Sequence, residues 1–243
     1  GDLKQAVSVS HGDTKHIVLL PGSARECFEF GWKAFDVAER TQTPVFVLSD
    51  LDLGQNQWMS EPFEYPDIPM DRGKVLWEED FEEFEAKHGK WGRYKDVDGD
   101  GIPYRTVAGN RHVGSTYFAR GTGHDAFANY SEDPDVWMEG MNRLNLKYET
   151  ARQYVPDAII EEMEDSKIGI IAYGSTTPAV IEARDLLAKE GVKTDYLRLR
   201  ALPINDIVKE FVRKYDEIFV VEMNHNGQLR EILSIEMPEE STK

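Results

Sequence analysis

Two stretches of the chain alternate short β-branched apolar runs with segments of helical period, and a long aperiodic stretch lies between them. In the later stretch, Ile168 to Tyr173 has the length and composition of a strand. Gly174, Ser175 and Thr176 follow it. Thr177 is placed to cap a helix that opens on Pro178, whose apolar stripe is Val180, Ala183, Leu186 and Leu187 and whose end is Gly191. Asp195 to Leu199 predicts a second strand. Beyond Ala201-Leu202-Pro203, a helix capped at Asn205 carries Ile207, Val208, Phe211 and Val212 inward, and Ile218 to Val221 predicts a third strand. Strands joined by single helices run parallel with right-handed crossovers, so their carboxyl ends share one edge of the sheet. Gly174 to Thr176, Arg200 and Glu222-Met223-Asn224 are therefore expected on one rim, where open α/β sheets bind ligands.

The earlier stretch reads the same way. Residues 1–16 are polar and complete no strand or helix, as in a chain entered partway through a domain. Ile17 to Leu20 is then a buried strand stopped by Pro21-Gly22. Ser23 caps the next helix, with Glu26 at its third position completing a capping box, and Cys27, Phe28, Gly31, Phe35 and Ala38 form the inward stripe. Thr43 to Leu48 predicts a second parallel strand with Ser49, Asp50 and Asp52 at its carboxyl end.

Between Gly54 and Tyr154 the periodicity fades into Pro, Gly, Asp and aromatic residues. A structureless loop of that length is improbable in a folded domain, so ordered connections packed on the sheet are expected. Two helices punctuate it: an acidic one from Glu78 to Lys87, and one from Asp135 to Tyr154 with Trp137, Met141, Leu144, Tyr148 and Ala151 on one face. Pro156 and the acidic run Glu161 to Asp165 mark a boundary, giving domains at 1–160 and 161–243 in an α/β fold.

Charge narrows the function. A formal charge of −17 over 243 residues repels phosphate backbones and anionic lipid surfaces. A single cysteine forms neither an internal disulfide nor a cluster ligand set, and a reducing, cytoplasmic setting is expected. Cys27 itself sits on an apolar stripe and reads as a buried structural thiol.

Several local patterns carry candidate chemistry. Asp96, Asp98, Asp100 and Gly101 imitate the first half of a calcium-binding EF-hand loop, but Tyr104 and Val107 stand at the ninth and twelfth positions, where ligands are needed. A polar turn capped by its own Asp side chains is the competing reading. Arg120, Thr122, His124 and Asp125 share a Gly-rich loop that lacks the Gly-Lys-Ser/Thr ending of a P-loop, and it reads equally as a site and as a self-paired turn. Ser175 lacks the second glycine of a nucleophile elbow. Glu222, Asn224 and Gln228 read either as a helix start or as a polar contact surface.

Taken together, SHGDTKHIVLLPGSARECFEFGWKAFDVAERTQTPVFVLSDLDLG, YKDVDGDGIPYRT, FARGTGHD, RLNLKYETAR, IGIIAYGST and VVEMNHNGQL resemble, in order, the end of the alpha subunit of 2-oxoacid:ferredoxin oxidoreductases of the 2-oxoglutarate type. The resemblance implies the last part of a thiamine-enzyme pyrimidine-binding domain followed by a transketolase-C-like βαβαβα domain. It implies coenzyme A-dependent oxidative decarboxylation of a 2-oxoacid with thiamine diphosphate, magnesium and an iron–sulfur cluster. The family's catalytic glutamate and substrate motif lie upstream of the matched segments, so no residue here takes a catalytic role and no cofactor or metal ligand is expected on this chain. Asp50, Asp52, Arg120, Thr122, His124, Asp125, Glu222, Asn224 and Gln228 become candidates for a subunit interface or the approach to an active site. The implied partners are the beta subunit and the remainder of the alpha subunit, with ferredoxin docking elsewhere because the chain is acidic. A non-enzymatic α/β interaction module and a half-Rossmann small-molecule-binding domain remain as alternatives.

Overall fold

The computed structural model describes residues 2–10 and 13–242. It opens on a short helix, α1 (Leu3–Val7), which corrects the expectation that no element is complete before Ile17. Five residues are too few to show a helical period. Leu3 and Val7, four apart, are both buried in the main core, where α1 packs against the last helix of the chain.

β1 (Ile17–Leu19) is followed by α2 (Ala24–Thr41) and β2 (Val45–Val47), which pairs parallel to β1. Ser23 caps α2 as expected, its Oγ accepting the Glu26 N–H at 3.2 Å. The reciprocal half of the capping box is absent, because the Glu26 carboxylate turns to Gly22 N–H and to two arginines of the second stretch. The inward stripe is also corrected. Phe30, Ala34, Val37 and Thr41 face the core, while Phe35 is 63% exposed. Phe28 instead stacks on Phe63 at 4.9 Å and meets Tyr65 edge-on, so a second face of α2 is covered by the aperiodic segment. The sequence pattern allowed either face, and tertiary contact chose.

α3 (Leu51–Gln55) and α4 (Phe81–His88) punctuate the irregular stretch. Leu76, Phe81, Phe84 and Trp91 form a small core of their own there. α5 (Pro134–Ala151) ends under the first sheet, with Ala151 and Val155 in its core. Only the last turn of α5 is fully buried, and Trp137 at the other end of the expected stripe stands 45% exposed.

β3 (Ile159–Glu161), β4 (Ile168–Tyr173), α6 (Thr177–Lys189), β5 (Thr194–Leu199), β6 (Ala201–Leu202), α7 (Asp206–Lys214), β7 (Glu217–Val221) and α8 (Gln228–Glu236) complete the chain. The second sheet has the order β3-β5-β4-β7, with β4, β5 and β7 parallel and β3 antiparallel at the edge. Two details differ from the expectation. Thr177 lies inside α6 instead of capping it, after a 3-10 turn over Gly174–Thr176, and its hydroxyl meets Tyr196 Oη at 3.0 Å. Of the expected α6 stripe only Val180 is buried; Arg184 takes the inner position by bonding Thr194 O and Glu161, while Leu186 is 55% exposed. Asn205 caps α7 through the Val208 N–H.

The feature that unites the halves is β6. It leaves the second sheet's path and pairs antiparallel with β1, giving a first sheet of order β2-β1-β6. Val18 and Leu20 of the first sheet consequently share one core with Ile171, Leu197, Phe211 and Leu229. No helix among the described residues is long and apolar enough to cross a membrane.

Candidate functional site

The carboxyl ends of β2, β4 and β7 converge on one cleft of about 620 Å³. One wall is Ser49 to Asp52 with Gln55 and Asn56; the opposite wall is Tyr173, Gly174 and Thr176, with Met223 and Asn224 beside them and Asp2 of the N-terminal segment at the rim. Parallel strands place Gly174, Thr176, Met223 and Asn224 on one rim, as the sequence pattern expects; β2 belongs to the other sheet, and its end joins them by tertiary packing.

Asp50 joins the walls. Its Oδ1 accepts the Leu53 N–H at 2.9 Å and so caps α3, while Oδ2 accepts the Ser175 N–H at 2.8 Å across the cleft. This contact requires glycine at position 174, where φ is +66° and a Cβ would lie 2.6 Å from Asp50 Oδ2. The Ser175 hydroxyl is buried without a hydrogen-bond partner. Asp52 faces the same cleft and its backbone carbonyl accepts Trp58 Nε1–H at 3.0 Å.

Glu222, Asn224 and Gln228 serve the start of α8. Glu222 accepts the N–H groups of Leu229 and Arg230, and Asn224 Oδ1 accepts that of Gln228 at 3.0 Å. Asn224 Nδ2 also reaches Tyr173 Oη at 3.4 Å. Burial, then the nearby Glu222 charge, raises the Tyr173 pKa. Gln228 is buried, and its Oε1 accepts the Lys4 N–H, tying α1 to α8.

Arg200 does not join the rim. Together with Arg198 it turns to Glu26: Arg198 Nη2 donates to Glu26 Oε1 at 2.7 Å, Arg198 Nη1 to Oε2, and Arg200 Nε to Oε1 at 2.8 Å. Burial alone would raise the Glu26 pKa; the hydrogen bonds from Arg198 and Gly22 and the two guanidinium charges outweigh it and hold the carboxyl below its ordinary value. Gly22 is required here for closeness, since a Cβ would lie 2.2 Å from Arg198 Nη1.

The Gly-rich loop lies elsewhere. Arg120 and Thr122 are exposed, and Arg120 sits over the Tyr130 ring. His124 stacks on Tyr94 at 4.0 Å, and Asp125 accepts the N–H groups of Phe127 and Asn129, so the loop is built largely from its own contacts. In the Asp96 loop, Asp96 accepts the N–H groups of Asp98, Gly99 and Gly101, and the Lys74 ammonium lies 2.7 Å from both Asp98 and Asp100. The loop is a turn closed by Asp side chains and a lysine. Among the described residues, no cluster of three or more histidines, cysteines or carboxylates is placed to hold a metal. Cys27 is only partly buried; burial, then the charges of Asp50 and Glu26, push its thiol pKa up.

Residues 1–115 match the family model described as pyruvate flavodoxin/ferredoxin oxidoreductase, thiamine diP-bdg. Across 96% of its length the chain is 29% identical to subunit alpha of 2-oxoacid:ferredoxin oxidoreductase 2 of Aeropyrum pernix. Across 95% it is 30% identical to the 2-oxoglutarate synthase subunit KorA of Methanothermobacter thermautotrophicus. The chain is similar to these alpha subunits along nearly its whole length. It spans 35% of the first relative's length and 58% of the second's. A solved 2-oxoglutarate:ferredoxin oxidoreductase from Magnetococcus marinus, with 2-oxoglutarate, coenzyme A and succinyl-CoA bound, has the same fold over all of this chain and 40% of its own (TM-score 0.80, 24% identity).

The family match covers β1, α2, β2 and one wall of the cleft. The charged side chains lining the cleft are Asp2, Asp50 and Asp52, so it offers a diphosphate no cationic side chain. Nor does Glu26 fit as a free carboxyl acid, since both its oxygens are engaged by arginines. Asp50, Asp52, Gly174, Thr176, Met223 and Asn224 were legible in the sequence as rim residues, whereas Tyr173 as a wall of the cleft and the Glu26 pairing were not. Arg198 and Arg200 are over 170 residues from Glu26, and no local pattern signals such a contact.

Proposed function

We propose that the chain is part of the alpha subunit of a thiamine diphosphate-dependent 2-oxoacid:ferredoxin oxidoreductase, which oxidatively decarboxylates a 2-oxoacid such as 2-oxoglutarate with coenzyme A. Similarity along 95–96% of the chain to such alpha subunits carries this reading. Residues 1–160 then supply the end of a pyrimidine-binding domain and residues 161–243 a transketolase-C-like domain, working in the cytoplasm. Thiamine diphosphate, magnesium and the iron–sulfur cluster are held mainly by other segments or subunits; a single cysteine, too few for a cluster, supports this for the cluster.

The work assigned to this chain is scaffolding and docking, and it does not turn over alone. The exposed apolar residues support that role. β7 is an edge strand whose Phe219 is 55% exposed, with Val221 and Met223 continuing the same side, and Leu186 and Leu187 are exposed on α6. Exposed apolar positions arranged this way mark contact with protein. The beta subunit and the remainder of the alpha subunit are the proposed partners, with Asp50, Asp52, Arg120, Thr122, His124, Asp125, Glu222, Asn224 and Gln228 near the interface or the approach to the active site, and ferredoxin is reached indirectly.

Reconstitution with a beta subunit and an upstream alpha segment from a relative tests the reading. Reduction of a viologen dye that requires both 2-oxoacid and coenzyme A is expected. A folded complex without that activity rejects it.

A further inference from the structure

A second cavity, of about 360 Å³, opens at the opposite end of the first sheet, where β1 and β2 begin. Its walls come from the entry to β1 (Lys15, His16), the turn before β2 (Gln42, Thr43) and the inner face of α5 (Lys147, Tyr148). The sequence pattern singled out Tyr148 only as an apolar-face residue, and nothing in the proposed activity uses this end of the sheet.

Its polar groups are incompletely paired. Among the described residues the Lys147 ammonium, in a protein of net charge −17, has no carboxylate in ion-pair range and donates one hydrogen bond, to Gln42 O at 3.0 Å. Two buried atoms in the wall, His16 Nδ1 and Gln42 Oε1, have no hydrogen-bond partner. An unmet donor marks a place where an anion can complete the structure, which applies to His16 Nδ1 when it carries the ring proton; Gln42 Oε1, an acceptor, is not met by an anion. The neighbouring carboxylates are otherwise engaged: Glu149 is paired with Arg152, and Glu236 with Arg152 and Lys15. Asp13 lines the mouth and is exposed. Arg143 and Arg93 add positive potential from the Lys147 side, and Lys15 lies 5.2 Å over the Tyr148 ring.

We propose that this cavity binds a small oxyanion, a carboxylate or a phosphate, through the Lys147 ammonium and the Tyr148 hydroxyl. His16 adds a third donor. Its Nε2 is 2.5 Å from Ser10 Oγ, and when that hydroxyl donates, the ring proton sits on the unpaired Nδ1. Burial, then the charge of Lys147, lowers the His16 pKa, so the ring is a neutral hydrogen-bonding partner and not a second cation. Burial also brings the Lys147 pKa down to about 8, and a bound anion would reverse part of that shift. The volume admits a dicarboxylate or an inorganic phosphate.

The test uses the full chain with ε-13C-labelled lysine, titrated with inorganic phosphate, with succinate, and with sodium chloride at matched ionic strength. A saturable shift of the Lys147 resonance with phosphate or succinate is expected, together with a rise in its titration midpoint, and the effective probe identifies the anion class. In calorimetry, Lys147→Met is expected to bind that probe about tenfold more weakly or worse, the cost of losing a charged donor. The proposal is overturned if chloride reproduces the shift, if neither anion moves the resonance, or if the folded variant binds as the parent does. Should Lys147→Met fail to fold, the titration of the parent protein decides by itself.

Discussion

Asp50 accepts the Ser175 backbone N–H at 2.8 Å and thereby fastens the end of β2 to the turn that follows β4. The same carboxylate caps α3. Asp50→Ala removes both bonds and is expected to cost about 2 kcal/mol, from a lost cap and a lost charge-assisted bond. For a chain of this size that is a melting temperature lower by about 4–8 °C. Asp50→Asn keeps the oxygen that caps α3 and should lose less. An unchanged melting curve for Asp50→Ala would mean that the two walls are not held together here.

Acidification should loosen the other link between the halves. Glu26 has a folded pKa below its unfolded value, near ~4.3 for glutamate. Its contribution is therefore full above that value and is lost as the pH falls through the lower, folded one. Glu26→Gln leaves Arg198 and Arg200 without their counter-charge and is expected to cost about 3 kcal/mol at neutral pH, while flattening the acid limb of the stability curve. Chemical denaturation from pH 7 down to pH 3, comparing variant and parent, measures both effects; parallel curves would contradict the assignment.

Placing a charge on the exposed edge strand tests docking without touching the core. Phe219→Glu should leave circular dichroism and melting temperature nearly unchanged, because surface substitutions away from packed features stay within about 0.5 kcal/mol. It should block co-purification with the complementary subunit in the reconstituted system. Normal assembly of the variant would remove β7 from the proposed interface.

The Asp96 loop makes a prediction opposite to its sequence pattern. Lys74 already bridges Asp98 and Asp100, and Asp96 is committed to backbone N–H groups. Millimolar calcium is expected to produce no saturable heat in a calorimetric titration. Micromolar binding would show that the metal displaces the lysine.

What was legible in the sequence was whatever is decided locally. Ile168–Tyr173 forms a strand over the whole apolar run, and Ser23 and Asn205 cap helices through their own side chains. Gly174 and Asn224 share one rim as the parallel connectivity of β4 and β7 predicts, whereas Asp50, at the end of β2 in the other sheet, reaches the same cleft only through tertiary packing that no local pattern signals. What was hidden depends on distant partners. α1 forms where Leu3 and Val7 find α8, and Phe35 faces out because the core selected Phe30 and Val37. Arg184 took an inner position on α6 because Thr194 O and Glu161 satisfy its guanidinium, which no hydropathy pattern anticipates. The Lys147 cavity was equally invisible, being assembled from three separate segments.

The two-residue strand β6 has a consequence for severing the chain. Because it closes the open side of β1, cleavage near residue 160 would not yield two independent pieces. The N-terminal piece would be left with a bare strand edge and half of a shared core, and such an edge recruits other strands. Expressed alone, that piece is expected to self-associate until the remainder of the polypeptide is supplied in trans, so co-expression of the halves is the route to soluble material.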